Sequence, residues 1–270
     1  MRVKPRPSIA WIIGIGYAIL FLVLEKIMGV GYDVIGATTH NIVRGIVIPL
    51  VVGTIVLAIV TTALGWWRPV LRELPDASPP RPPRWLIAVP ILLFVAALLG
   101  IDYGNLGNMG GSMILALALG TAMVGFTEEI TYRGLAVVGF RGGYGEVRVW
   151  LFSSILFGLL HGVNLILGQD AGPTLRQVIL AFVVGSVFYS IRRITGTIII
   201  PMVLHALWDF GSFSHVAGKA SGVPGKVDLT AAGMSLLQNL VLLVIIILVI
   251  VGATRILGTR KKHVAQHAQA

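Results

Sequence analysis

Residues 45–67, GIVIPLVVGTIVLAIVTTALGWW, contain no ionisable side chain. A helix needs about 20 mostly apolar residues to cross a hydrocarbon core of about 30 Å, and this stretch has that length. Residues 234–256, MSLLQNLVLLVIIILVIVGATRI, repeat the pattern with one Arg near the end. Comparable runs lie at about 9–24, 85–101, 111–126, 149–168, 175–193 and 196–213. The expected fold is therefore all-α, a polytopic transmembrane helical bundle of about eight spans. Composition agrees, because 12% of the 270 residues are charged, against about 25% in an average soluble domain.

An even number of spans puts both termini on one side. All but five of the 21 Lys and Arg residues then fall on that side, the exceptions being Lys26, Arg44, Arg176, Lys219 and Lys226. The positive-inside rule makes both termini cytoplasmic. A multi-pass protein of the cell membrane is expected, with the lipid bilayer as its first partner. The net charge of +10 does not suggest nucleic acid, because the basic residues sit between apolar runs and form no stripe interleaved with aromatics. There is no Cys, which excludes disulfides, thiolate metal sites and cysteine nucleophiles.

The first span follows a basic Met1–Pro7 segment, lacks a small-residue cleavage site after it, and ends at Leu24-Glu25-Lys26 like an ordinary anchor. Prolines at 75, 79, 80, 82 and 83 predict an extended linker. The expected organisation is an N-terminal hairpin over 1–74, a linker over 75–84, a six-span core over 85–257 and a disordered tail over 258–270.

Ionisable groups inside membrane helices are costly and mark functional sites by default. Glu129 and Arg133 are four residues apart with the acid first, the favourable order for a helical ion pair. Glu128 points about 100° away around the helix and keeps its basicity for chemistry, which makes it the candidate general base. The plainer reading is that all three charges mark the membrane border. Phe157 and His161 share one face of the fifth span, and His205 and Asp209 share one face of the seventh. A lone membrane His is most often a hydrogen-bonded structural residue, but an acid beside a His on an apolar helix is harder to dismiss. Phe126 and Trp208 flank the clusters.

Two chemistries suit one carboxylate, one imidazole and an imidazole–carboxylate pair drawn from three helices. Glu128 activates water for attack on a peptide carbonyl, with the imidazoles as hydrogen-bond partners. Alternatively, His161, His205 and a carboxylate hold a divalent ion such as zinc, which lowers the pKa of its bound water. A transporter or proton relay, a b-type haem protein ligated by His161 and His205, and a non-proteolytic scaffold or immunity protein are the competing readings.

Glu128-Glu129-x-x-x-Arg133, Phe157-x-x-x-His161 and His205-x-x-x-Asp209, in that order, resemble the CPBP family of intramembrane proteases. This is the Abi or CAAX-protease family, which includes the type II CAAX prenyl endopeptidases. The resemblance spans about residues 110–215. It implies a glutamate-dependent or metal-dependent endopeptidase acting on a membrane-anchored or lipidated peptide. By position Glu128 matches the catalytic glutamate, Glu129 and Arg133 its supporting pair, and His161 and His205 the water-orienting or metal-binding histidines. Asp209 stands where many members carry Asn. An ionised Asp209 would repel an oxyanion, so it is either protonated or a ligand or orienter. That makes Glu128, His161, His205 and Asp209 the candidate metal set, and Asn164 a candidate substitute amide donor. Counted from the outer helix ends, straight vertical spans leave Glu128 about 12 Å deeper than the two histidines. Tilted helices or a displaced fourth span are therefore expected, around a cavity opening toward the cytoplasm.

Overall fold

Long Val-, Ile- and Leu-rich segments satisfy every backbone group internally only as helices, and helices are what these segments form. The computed structural model describes residues 2–75, 78–219 and 236–258. In chain order the helices are α1 (Pro7–Met28), α2 (Thr39–Leu64), α3 (Trp67–Leu71), α4 (Arg84–Leu99), α5 (Tyr103–Asn108), α6 (Gly111–Arg141), α7 (Glu146–Ile166), α8 (Ala171–Thr195), α9 (Ile199–Ser214) and α10 (Leu236–Leu257). Among the described residues there is no strand, only a lone antiparallel bridge between Arg72 and Thr197. Of the tail expected to be disordered, 258–270, residues 259–270 lie outside the described residues.

Six of these helices, α1, α2, α6, α7, α8 and α10, are long and apolar enough to cross a membrane, and α4 and α9 are shorter. Ile12, Ile59, Leu115, Ile250 and Val251 point outward from them. Exposed apolar surface this extensive suits lipid as the solvent, and the chain is a multi-pass membrane protein.

The start of α1 and the end of α10 lie at the same end of the bundle. Arg2 N–H donates to the Leu64 carbonyl, Trp66 Nε1–H to the Val3 carbonyl, and Arg193 Nε–H to the Ile256 carbonyl. A buried ion cluster closes this end. Glu73 accepts from Arg141 Nη1 at 3.0 Å, Arg192 Nε at 2.7 Å and Arg193 Nη1 at 2.9 Å. Glu146 pairs with Arg141 and accepts from the Tyr189 hydroxyl. Three arginines read as topology markers are thus internal fasteners. Residues 78–83 stay out of helix, and the Pro79 and Pro80 carbonyls accept from Arg193 Nη2.

The largest departure from the sequence reading is α6. The span expected to stop near residue 126 continues through Arg141, passing through a wide π-helical segment over Glu129–Ala136. The helix is not broken by its charges because Glu129 and Arg133 are fully buried and neutralise each other. At 1.5 Å rise per residue α6 is about 46 Å long. Glu128 therefore sits inside the bundle, and the expected mismatch in depth disappears.

Candidate active site

Glu128, His161, His205 and Asp209 line one cavity of about 250 Å³. α6 and α9 approach closely enough to build it because of Gly125. A Cβ at that position would come within 2.5 Å of the Met202 carbonyl and 2.9 Å of the Ala206 nitrogen. His205 lies on the α9 segment between those two residues, one turn from Glu128. Gly158 does the same for α7 and α8, where a Cβ would meet the Val178 carbonyl at 2.9 Å.

His205 is held from both ring nitrogens. Nδ1 lies 3.0 Å from Glu129 Oε1, and since a carboxylate can only accept, Nδ1 carries the proton of that bond. Nε2 lies 3.5 Å from Asp209 Oδ2 and 3.8 Å from Glu128 Oε2. Phe188 stacks on the ring, centroids 4.7 Å apart. His161 is fixed likewise, its Nδ1–H donating to the Phe157 carbonyl at 3.0 Å. Its Nε2 is thereby left for the cavity.

Behind this layer, Arg133 Nη1 reaches Glu129 Oε1 at 3.0 Å. The Arg133 guanidinium carbon lies 3.8 Å from the Phe157 ring centroid, a cation–π contact made by a fully buried cation. Phe157 also meets both imidazoles edge-on, at 5.2 Å from His161 and 5.6 Å from His205. Arg133, Phe157 and Glu129 form the support against which the cavity residues are oriented. Glu128 Oε2 is buried with no hydrogen-bond partner among the described residues.

Of the residues singled out in the sequence, Glu128, His161, His205, Asp209, Phe157 and Trp208 reach the cavity. Glu129 and Arg133 stand behind it. Phe126 packs in the core outside the cavity lining. Asn164 lines the cavity, and its amide nitrogen donates one of its two hydrogens to Gln177 Oε1 at 2.9 Å. Glu25, Tyr32, Gly100, Asn164 and Gln238, which also line the cavity, lie at or near helix ends remote from the start of α1 and the end of α10.

The residue missed outright is Glu25. It is 2% exposed and lines the cavity, where the sequence suggested an exposed anchor at the helix end. Its only sequence signal is a position four after Phe21, another lining residue. Among the described residues, no group of three or more His, Asp or Glu side chains is arranged to hold a metal ion.

A family model described as type II CAAX prenyl endopeptidase Rce1-like matches residues 110–211. The match runs from the residue before α6 to Gly211 in α9 and contains Glu128, Glu129, Arg133, His161, His205 and Asp209, while lining residues from α1, α2 and α10, with Gly100, lie outside it. No curated protein and no solved structure matches the chain.

Proposed function

We propose that the chain is an intramembrane endopeptidase with Glu128 as its general base, a reading supported by the match of residues 110–211 to the type II CAAX prenyl endopeptidase Rce1-like family model. The observation that carries this reading is the buried, unpartnered Glu128 Oε2, 3.8 Å from His205 Nε2 in a cavity at mid-bundle.

Glu128 takes a proton from a water molecule as the water oxygen bonds to the scissile carbonyl carbon. The C=O electron pair moves onto oxygen. His161 Nε2 accepts the second water hydrogen and so sets the angle of attack. His205, oriented through Nδ1 by Glu129, presents Nε2 to the developing charge when it carries a proton there, and Asp209 holds that edge of the ring. Collapse of the tetrahedral species breaks the C–N bond, and the departing nitrogen receives the proton from Glu128. Glu129 and Arg133 are positioning residues, since neither touches the cavity. No step in this sequence uses a metal.

The substrate is a membrane-associated protein or peptide, and the family description points to prenylated C-terminal CAAX sequences as the first class to test. The assay compares wild type with Glu128→Gln in liposomes, on membrane-anchored peptides with and without a prenylated cysteine. Loss of general-base catalysis predicts a fall in kcat of about 10²- to 10⁴-fold. Equal cleavage by the two proteins ends the proposal. A chelator leaves wild-type cleavage unchanged on this mechanism, and abolition by chelation would replace it with a metal-dependent one.

A further inference from the structure

Glu25 lies on α1, outside the matched domain, yet it lines the same cavity as Glu128. It is 2% exposed, and its Oε1 is buried without a hydrogen-bond partner among the described residues. The adjacent Lys26 is turned away from it, with Nζ donating to the Ile166 carbonyl at 2.7 Å. A carboxyl group buried with no donor is costly to ionise, and a bound cation would supply the partner that the charged form lacks.

The rest of the lining sharpens what that ligand is. Glu25, Glu128 and Asp209 all reach the cavity, and among the described residues no Lys or Arg lines it. Arg133 is spent on Glu129 behind the wall. The same lining holds apolar side chains, including Phe21 one turn before Glu25 and Ile46 and Leu50 from α2, beside uncharged polar ones such as Tyr32 and Gln177. A cavity that combines apolar walls with an unpartnered carboxyl oxygen fits a long aliphatic stem that ends in a cation.

We infer that Glu25 forms a specificity subsite that accepts a basic side chain, Lys or Arg, of the bound peptide. This rests on the reading of the cavity as a peptide-binding active site. The N-terminal helix then contributes substrate selection to a domain that carries the chemistry.

The test uses the full chain in liposomes with the Glu128→Gln substitution, so that binding is read without turnover. A membrane-anchored peptide is varied with Lys or norleucine at each position flanking the bond that wild type cleaves, or across the whole peptide if none is cleaved. Binding is followed by fluorescence. At one position Lys should bind about 10- to 100-fold tighter than norleucine, the effect of a hydrogen bond to a charged group. Adding Glu25→Gln or Glu25→Met should make the two peptides bind alike, while Glu25→Asp should restore part of the difference. Using two removals guards against one misfolding. Equal binding of Lys and norleucine forms at every position, or a preference that survives both removals, overturns the inference. Cleavage unaffected by Glu128→Gln would sink the proposed mechanism instead, and leaves this binding result standing.

Discussion

Replacing Gly125 with Ala tests whether the close approach of α6 and α9 builds the site. The new methyl would stand 2.5 Å from the Met202 carbonyl oxygen, and ordinary contact begins at 3.4 Å, so the helices must separate locally by close to 0.9 Å. Both atoms it meets first are backbone, so rotation of a flexible side chain cannot absorb the change. His205 rides on that stretch of α9, and its 3.0 Å bond to Glu129 would open to about 3.9 Å, beyond hydrogen-bond reach. A displacement of about 1 Å in catalytic geometry costs about 10²-fold in rate, or about 2.7 kcal/mol of barrier. Overpacking should also lower stability by about 1–3 kcal/mol. The assay is kcat/KM on the peptide cleaved by wild type, beside thermal unfolding, with Gly16→Ala as control because nothing lies within 4 Å of a Cβ there. A second readout does not depend on activity. In a chain without Cys, Gly125→Cys with Ala206→Cys should oxidise to a disulfide. The Cβ atoms would stand 3.2 Å apart and need only a small separation to reach the disulfide range of about 3.5–4.5 Å. Wild-type kcat/KM in Gly125→Ala, or no cross-link in the double Cys variant, would refute the reasoning.

Two further outcomes follow from the buried charges. Glu129→Gln removes the charge that neutralises the buried Arg133, so stability should fall by about 3–5 kcal/mol, and adding Arg133→Met should recover much of that without restoring cleavage. Recovery of activity in the double variant would show that the pair does not orient His205. Burial raises the Glu73 carboxyl, but the guanidiniums of Arg141, Arg192 and Arg193 outweigh it and hold the group well below the ordinary carboxylate value of about 4.5. A folded pKa below the unfolded one contributes stability above the unfolded value, and that contribution is lost as pH falls from about 4.5 toward the folded pKa. The gap in unfolding temperature between wild type and Glu73→Gln should therefore be full at neutral pH and shrink below about pH 4.5, and a gap independent of pH would contradict this account.

The span signals were legible because hydropathy and the 3.6-residue period are local properties of the chain. The same period put Glu129 beside Arg133, and His205 and Asp209 on one face, and both pairings stand in the structure. The end of α6 was not legible. A run of charges normally marks a membrane border, and only partners from other helices make Glu129 and Arg133 stable inside one. Arg141, Arg192 and Arg193 lie at the same end of the bundle as the start of α1, but their burial around Glu73 was not legible, because a buried arginine and an exposed one look alike until Glu73 is brought to them.

By itself, then, the sequence determined a helical membrane chain and the order of its acidic, imidazole and imidazole–carboxylate motifs, since each depends on residues within a turn or two of one another. Tertiary structure alone decided that Glu129 and Asp209 hold opposite edges of His205, that Gly125 brings Glu128 to the same ring, and that Glu25 is buried in the shared cavity. Those facts depend on how deeply one helix sits against another, and that depth is set by close backbone contacts and by distant partners for buried charge, which no local period encodes.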